Sequence, residues 1–193
     1  MPLIYFVCIL GSSQVLNAQR SDKHSPIYDY TEQHLNNTDT IPDFASKPDK
    51  LKITGIIYES DGKTPAKDVI LYVCQSNEYG DYEMKRDKNR NRYVHHRAWV
   101  KTDADGRYTF YTFMPGENRD VKELKQIQRI IKVPGKKEYK MNSFFFKNDP
   151  LLADLTLACR ANTVSSMIEM EKQGNMFVAT RDIKLEKNVS SIQ

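Results

Sequence analysis

The sequence predicts an all-β domain, a sandwich of short strands, and three observations carry that expectation. From residue 51 onward, runs of β-branched and aromatic residues recur, such as KITGIIY at 52–58 and RYTFYTF at 107–113. Turn signals bound them: Ser60-Asp61-Gly62, Asp103-Ala104-Asp105-Gly106 and Gly174-Asn175. Only one stretch carries a good helix start, with Asp149 as cap and Pro150 at the first helical position. Short strands joined by Asp-Gly and Gly-Asn turns form the pattern of a sandwich.

Strands are predicted at 52–58, 69–74, 99–102, 107–113, 126–133, 138–146, 164–171 and 175–185. The helix after Asp149 would place Leu151, Leu152, Leu155 and Cys159 on one face. The Asp103–Gly106 turn echoes a calcium loop but lacks the acidic residue six positions beyond the glycine, so a hairpin turn explains it better.

The chain has 193 residues, 39% of them hydrophobic and 28% charged, which suits one soluble domain with a real core. Its formal net charge of +4 is mild. The densest basic run, KRDKNRNR at 85–92, reads as a solvated loop, and no nucleic-acid motif is present.

Residues 1–18 read as an export signal: an apolar run, LIYFVCIL, precedes Asn17-Ala18-Gln19, with cleavage expected after Ala18. The expected location is therefore secreted or periplasmic. No basic residue precedes the run and Leu16 is not small, both departures from the usual signal. The run is too short to span a bilayer, and Cys8 lacks the small residues that a lipid anchor needs before it. Residues 19–50 are expected as a spacer, 51–186 as the domain and 187–193 as a tail. Export would permit Cys74 and Cys159 to pair, but Cys74 ends the apolar run VILYVC and fits burial as a small hydrophobe.

Five segments in order carry a resemblance. They are ITGIIYESDGKTPAKDVILYV, YGDY, WVKTDADGRYTFYTFMPG, KVPGKKEYKMNSFFFKNDPLL and MFVATRDIKL. Together they resemble the intradiol ring-cleavage dioxygenases, in particular a branch of small exported bacterial members. The resemblance covers residues 51–186 and implies a β-sandwich of the intradiol dioxygenase type, with one short helix after Asp149.

It also implies a metal centre. Family members hold ferric iron with two tyrosinates and two histidines, because anionic phenolates offset the charge of a hard trivalent ion. Tyr82, in Gly80-Asp81-Tyr82, takes the first tyrosine's place. Asn118 stands where the second belongs, and Gln126-Ile127-Gln128 replaces the His-x-His pair. Glu123 lies near the position of an arginine that orients the ring, and no histidine follows His96. Amide oxygens are poor substitutes for phenolate and imidazole. No cofactor is therefore expected, where the family would carry ferric iron.

The expectation that follows is a family member without iron chemistry, acting as a binding or interaction module. Gln126 and Gln128 lie two apart on a predicted strand and project to one face, where they could hydrogen-bond a small polar or aromatic ligand. His95 and His96 would point to opposite faces of an extended chain and so could not easily share an ion. Two alternatives stay open. One is an active dioxygenase for catechol-type diols, with an atypical site of Tyr82, one histidine of the 95–96 pair and a carboxylate such as Glu117. The other is an exported transthyretin-like structural sandwich, which shows a similar strand and Asp-Gly turn rhythm.

Overall fold

A computed structural model describes residues 24–31, 35–118, 123–154 and 163–187. Alternation along the strands dictates two sheets that pack face to face. The first has the order β1 (Thr38–Thr40), β7 (Arg107–Phe113), β2 (Lys50–Tyr58), β12 (Met176–Thr180), β11 (Glu171–Gln173), with β13 (Ile183–Lys184) on the far end of β2. The second runs β10 (Met167–Ile168), β9 (Tyr139–Phe146), β8 (Gln126–Lys132), β3 (Ile70–Gln75), β6 (Arg97–Lys101). A separate hairpin, β4 (Met84–Arg86) and β5 (Arg92–Val94), carries the basic run.

Period-two burial decides which side chains meet between the sheets. Leu51, Ile53 and Ile57 of β2 alternate inward and join Tyr108 and Phe110 of β7. Leu71, Val73, Ile127, Ile131, Phe144 and Phe146 face them from the second sheet. Phe110 stacks on Phe144 across the interface with ring centroids 6.4 Å apart. Between β12 and β13 the backbone passes over Gly55, where an added Cβ would lie 2.1 Å from the Arg181 carbonyl oxygen. Only glycine admits that approach.

Expectations for two segments need revision. The described residues of the 19–50 spacer belong to the fold: β1 pairs with β7, and Ile27, Leu35 and Ile41 are buried. The edge strand reads Thr-Asp-Thr, so it shows no apolar alternation. The strand expected at 164–171 shrinks to Met167–Ile168, because residues 163–166 turn, with Ser166 N–H bonded to the Thr163 carbonyl at 3.0 Å. The short helix expected after Asp149 is present as a 3-10 helix, Pro150–Asp154. Asp149 does cap it, accepting the Leu151 N–H at 2.9 Å, and also accepts the Lys125 N–H at 2.6 Å.

The export signal at 1–18, Leu155, Cys159 and residues 188–193 lie outside the described residues. Cys74 is buried and unpaired among the described residues. No helix of the described residues is long and apolar enough to cross a membrane.

Candidate functional site

Two loops cross at a pair of glycines and bring the chain on either side into contact. After β3, Asn77 organises a tight turn: its side-chain oxygen accepts the N–H groups of Tyr79 and Asp81 at 2.9 and 3.0 Å. Its carbonyl accepts Gly80 N–H at 3.2 Å and Gly116 N–H, from the loop after β7, at 2.8 Å. A Cβ on Gly80 would sit 2.4 Å from the Glu117 carbonyl oxygen, and one on Gly116 only 2.3 Å from Gly80 N. Gly80 also has φ +94°, a conformation that side chains disfavour. The crossing holds the segment with Tyr82 against the segment with Asn118.

From there the chain returns through a two-way backbone pairing of Asn118 with Glu123, at 3.1 and 2.8 Å, and enters β8. On β8, Gln126, Gln128 and Ile130 face outward while Ile127 and Ile131 enter the core. The Gln126 side-chain amide donates to the Glu123 carboxylate. Gln128 Nε2 donates to the Tyr82 phenol oxygen at 2.8 Å. The sequence-predicted positions are thus brought together: Tyr82 touches Gln128, Gln126 touches Glu123, and Glu123 pairs with Asn118.

Burial, with the nearby Glu123 carboxylate, pushes the Tyr82 phenol up to about 12, against the opposing pull of the Gln128 bond. Tyr82 is accordingly a neutral phenol across the physiological range. Gln126 and Gln128 line one groove of about 1150 Å³. Its floor includes Tyr72 and Cys74 of β3 and Ile130 of β8, and the β4–β5 hairpin contributes Met84, Tyr93 and Val94. Desolvation raises the phenol of Tyr72 and the thiol of Cys74, so both stay neutral there.

Glu117 lies elsewhere, in a smaller cleft of about 520 Å³ shared with Asn118, Tyr79 and Lys125. The carboxylates beside the histidine pair are Asp43 and Glu83 instead. His95 and His96 do not point to opposite faces. They occupy a bend between β5 and β6, not an extended strand, and their rings lie 5.0 Å apart. Nε2 of His95 is 2.9 Å from Asp43 Oδ2, and Nε2 of His96 is 3.5 Å from the same oxygen. Glu83 Oε2 is 3.9 Å from His96 Nε2.

Burial would raise Asp43, yet the His95 hydrogen bond and the positive potential of both imidazoles hold it below the usual carboxylate range. Burial lowers His96, helped by His95 and Lys47, against the pull of Glu83 and Asp43. Sequence reading missed Asp43 and Glu83 because neither belongs to a motif and Asp43 lies far from the pair in the chain.

Overall, the fold is that of the intradiol ring-cleavage dioxygenases. The dioxygenase domain of a dioxygenase–carbohydrate-binding protein fusion from Streptomyces sp. SirexAA-E superposes with TM-score 0.64 at 18% identity, covering 84% of this chain and 99% of that one. The intradiol ring-cleavage dioxygenase from Tetranychus urticae gives 0.60 at 16% identity, over 85% and 90%. Catechol 1,2-dioxygenase from Acinetobacter sp. ADP1 gives 0.59 at 14% identity, over 81% of this chain and 58% of that enzyme's length. No family model matches the sequence, and no curated protein matches it.

Proposed function

We propose that this chain is a binding module built on the intradiol dioxygenase fold, taking a small polar or aromatic ligand in the groove and performing no ferric chemistry. The observation that carries the reading is the bond from Gln128 Nε2 to Tyr82 Oη. Ferric iron needs lone pairs from anionic oxygen and imidazole converging on one point. Here an amide N–H is aimed at a neutral phenol, and the second amide N–H is aimed at Glu123. The residues present do not fit the ion.

What the groove offers is different chemistry. Its apolar floor and its two amides suit a flat ligand with one or two hydroxyl or carboxyl groups, with Arg92 and Lys140 available to a negative charge. The test loads the purified full chain with ferric iron and then adds catechol. The expected result is a colourless protein, because tyrosinate–iron charge transfer is lacking, and no catechol-dependent oxygen uptake. Stoichiometric, coloured iron together with oxygen uptake overturns the reading.

A further inference from the structure

We propose that Asp43, Glu83, His95 and His96 form a binding site for one divalent transition-metal ion, with Zn2+ as the probe, separate from the groove. The donor atoms come from three segments: the loop after β1, the residue before β4, and the bend between β5 and β6. One donor atom from each residue lies within 4.8 Å of all the others. Three histidine–carboxylate pairs lie 2.9, 3.5 and 3.9 Å apart. Four donors about 2.1 Å from one tetrahedral ion would lie about 3.4 Å from each other, so the set needs small side-chain movements only.

His96 supplies an independent pointer. Its side chain is 0% exposed, and among the described residues neither ring nitrogen has a hydrogen-bond partner. The ring meets the Phe113 ring edge-on at 5.0 Å, while Nε2 is aimed at the Asp43 and Glu83 carboxylates. A buried imidazole is ordinarily satisfied on at least one nitrogen. An ion between the carboxylates would take the Nε2 lone pair. The Asp43 oxygen already placed between both imidazoles becomes a shared ligand.

The chemistry of the set also selects the class of ion. Two imidazoles and two carboxylates suit a borderline divalent metal, and two negative charges offset its charge. Lys85 pairs with the other Glu83 oxygen, Oε1, at 3.2 Å, leaving Oε2 turned to the cluster. The Asp43 side chain is about half exposed, which gives the ion a path from solvent. Bound there, the ion would tie the loop after β1 and the base of the β4–β5 hairpin to the second sheet. That hairpin is a wall of the groove, so the ion would hold the wall in place. The proposal does not depend on what the groove binds.

The test strips the full chain with a chelator and titrates it with Zn2+ alone, by calorimetry and by competition with a coloured chelator. One Zn2+ per chain is expected, with a rise in melting temperature. Asp43→Asn and Glu83→Gln, both at positions open to solvent, are expected to keep the metal-free melting temperature and to weaken uptake about tenfold or more. His24→Ala, at an exposed histidine outside the cluster, is expected to bind as the parent does. No saturable uptake by the parent overturns the proposal. So does uptake that survives both carboxamide variants, or uptake that is lost with His24→Ala.

Discussion

Gln128 and Tyr82 are joined, Nε2 to Oη at 2.8 Å, although they stand 46 positions apart in the chain. The bond fixes the phenol as an acceptor and leaves its own proton in place. Burial and Glu123 hold that proton up to about pH 12. The difference ultraviolet titration of the parent and Tyr82→Phe is expected to show one phenol ionising near 12, above the ordinary value of 10.0. The folded pKa is raised, so its stabilising contribution is complete below pH 10 and fades as pH rises through 12. A difference spectrum that titrates near 10 removes this account.

The same substitution tests the strength of the bond. Gln128 is exposed, and water can replace the lost acceptor, so Tyr82→Phe is expected to cost about 0.5–1 kcal/mol in urea unfolding. A loss several times larger would mean that the phenol hydroxyl has a further buried role.

Gly116→Ala is expected to destabilise by about 1–3 kcal/mol, because its Cβ would lie 2.3 Å from Gly80 N and both partners are backbone. Gly135→Ala is the control. Nothing lies within 4 Å of its Cβ, but its φ of +69° penalises any side chain by about 1 kcal/mol. Urea midpoints of the two variants should fall in that order, Gly116→Ala the lower.

Phe110→Ala should be among the most costly substitutions in the core. The ring is 0% exposed, lies 6.3 Å from Tyr108 and 6.4 Å from Phe144, and links both sheets. A loss of about 3–5 kcal/mol is expected from its removal. Denaturant unfolding of the variant measures it directly.

Asp61 supplies an acid-sensitive anchor. Its carboxylate accepts the Thr64 hydroxyl at 2.6 Å and the N–H groups of Thr64 and Lys63 at 2.9 and 2.8 Å. Those bonds, the Thr64 hydroxyl foremost, hold it down to about 2 from an ordinary 3.8. A depressed folded pKa means the contribution is present above pH 3.8 and is lost as pH falls through 2. The stability gap between the parent and Asp61→Ala should therefore narrow on acidification across that window, read as urea midpoints against pH.

Much of the fold was legible because its strands obey simple alternation. β2 and β7 fall within two residues of their expected bounds, since β-branched and aromatic residues there sit between unmistakable turns. The outward pairing of Gln126 with Gln128 was legible for the same reason. β1 was not, because a polar Thr-Asp-Thr strand gains its place from hydrogen bonds to β7, which composition does not encode. The histidine pair was misjudged through its backbone. The expectation assumed extended chain, and a bend at 95–96 turns both rings the same way. Asp43 joins them from the loop after β1, at φ +65°, an arrangement that only the assembled domain produces.

β2 lies between an antiparallel neighbour and a parallel one, with Lys52 opposite both Tyr111 and Val178. The second partner is 126 positions away in the chain, so closing that pair carries a large loop entropy before any packing rewards it. A sheet assembled this way folds on the slow scale of β-rich topologies, in about milliseconds to seconds. Until the strand at 176–180 docks, the bare edge of β2 would be open to pairing with other chains, so refolding yield should fall as protein concentration rises.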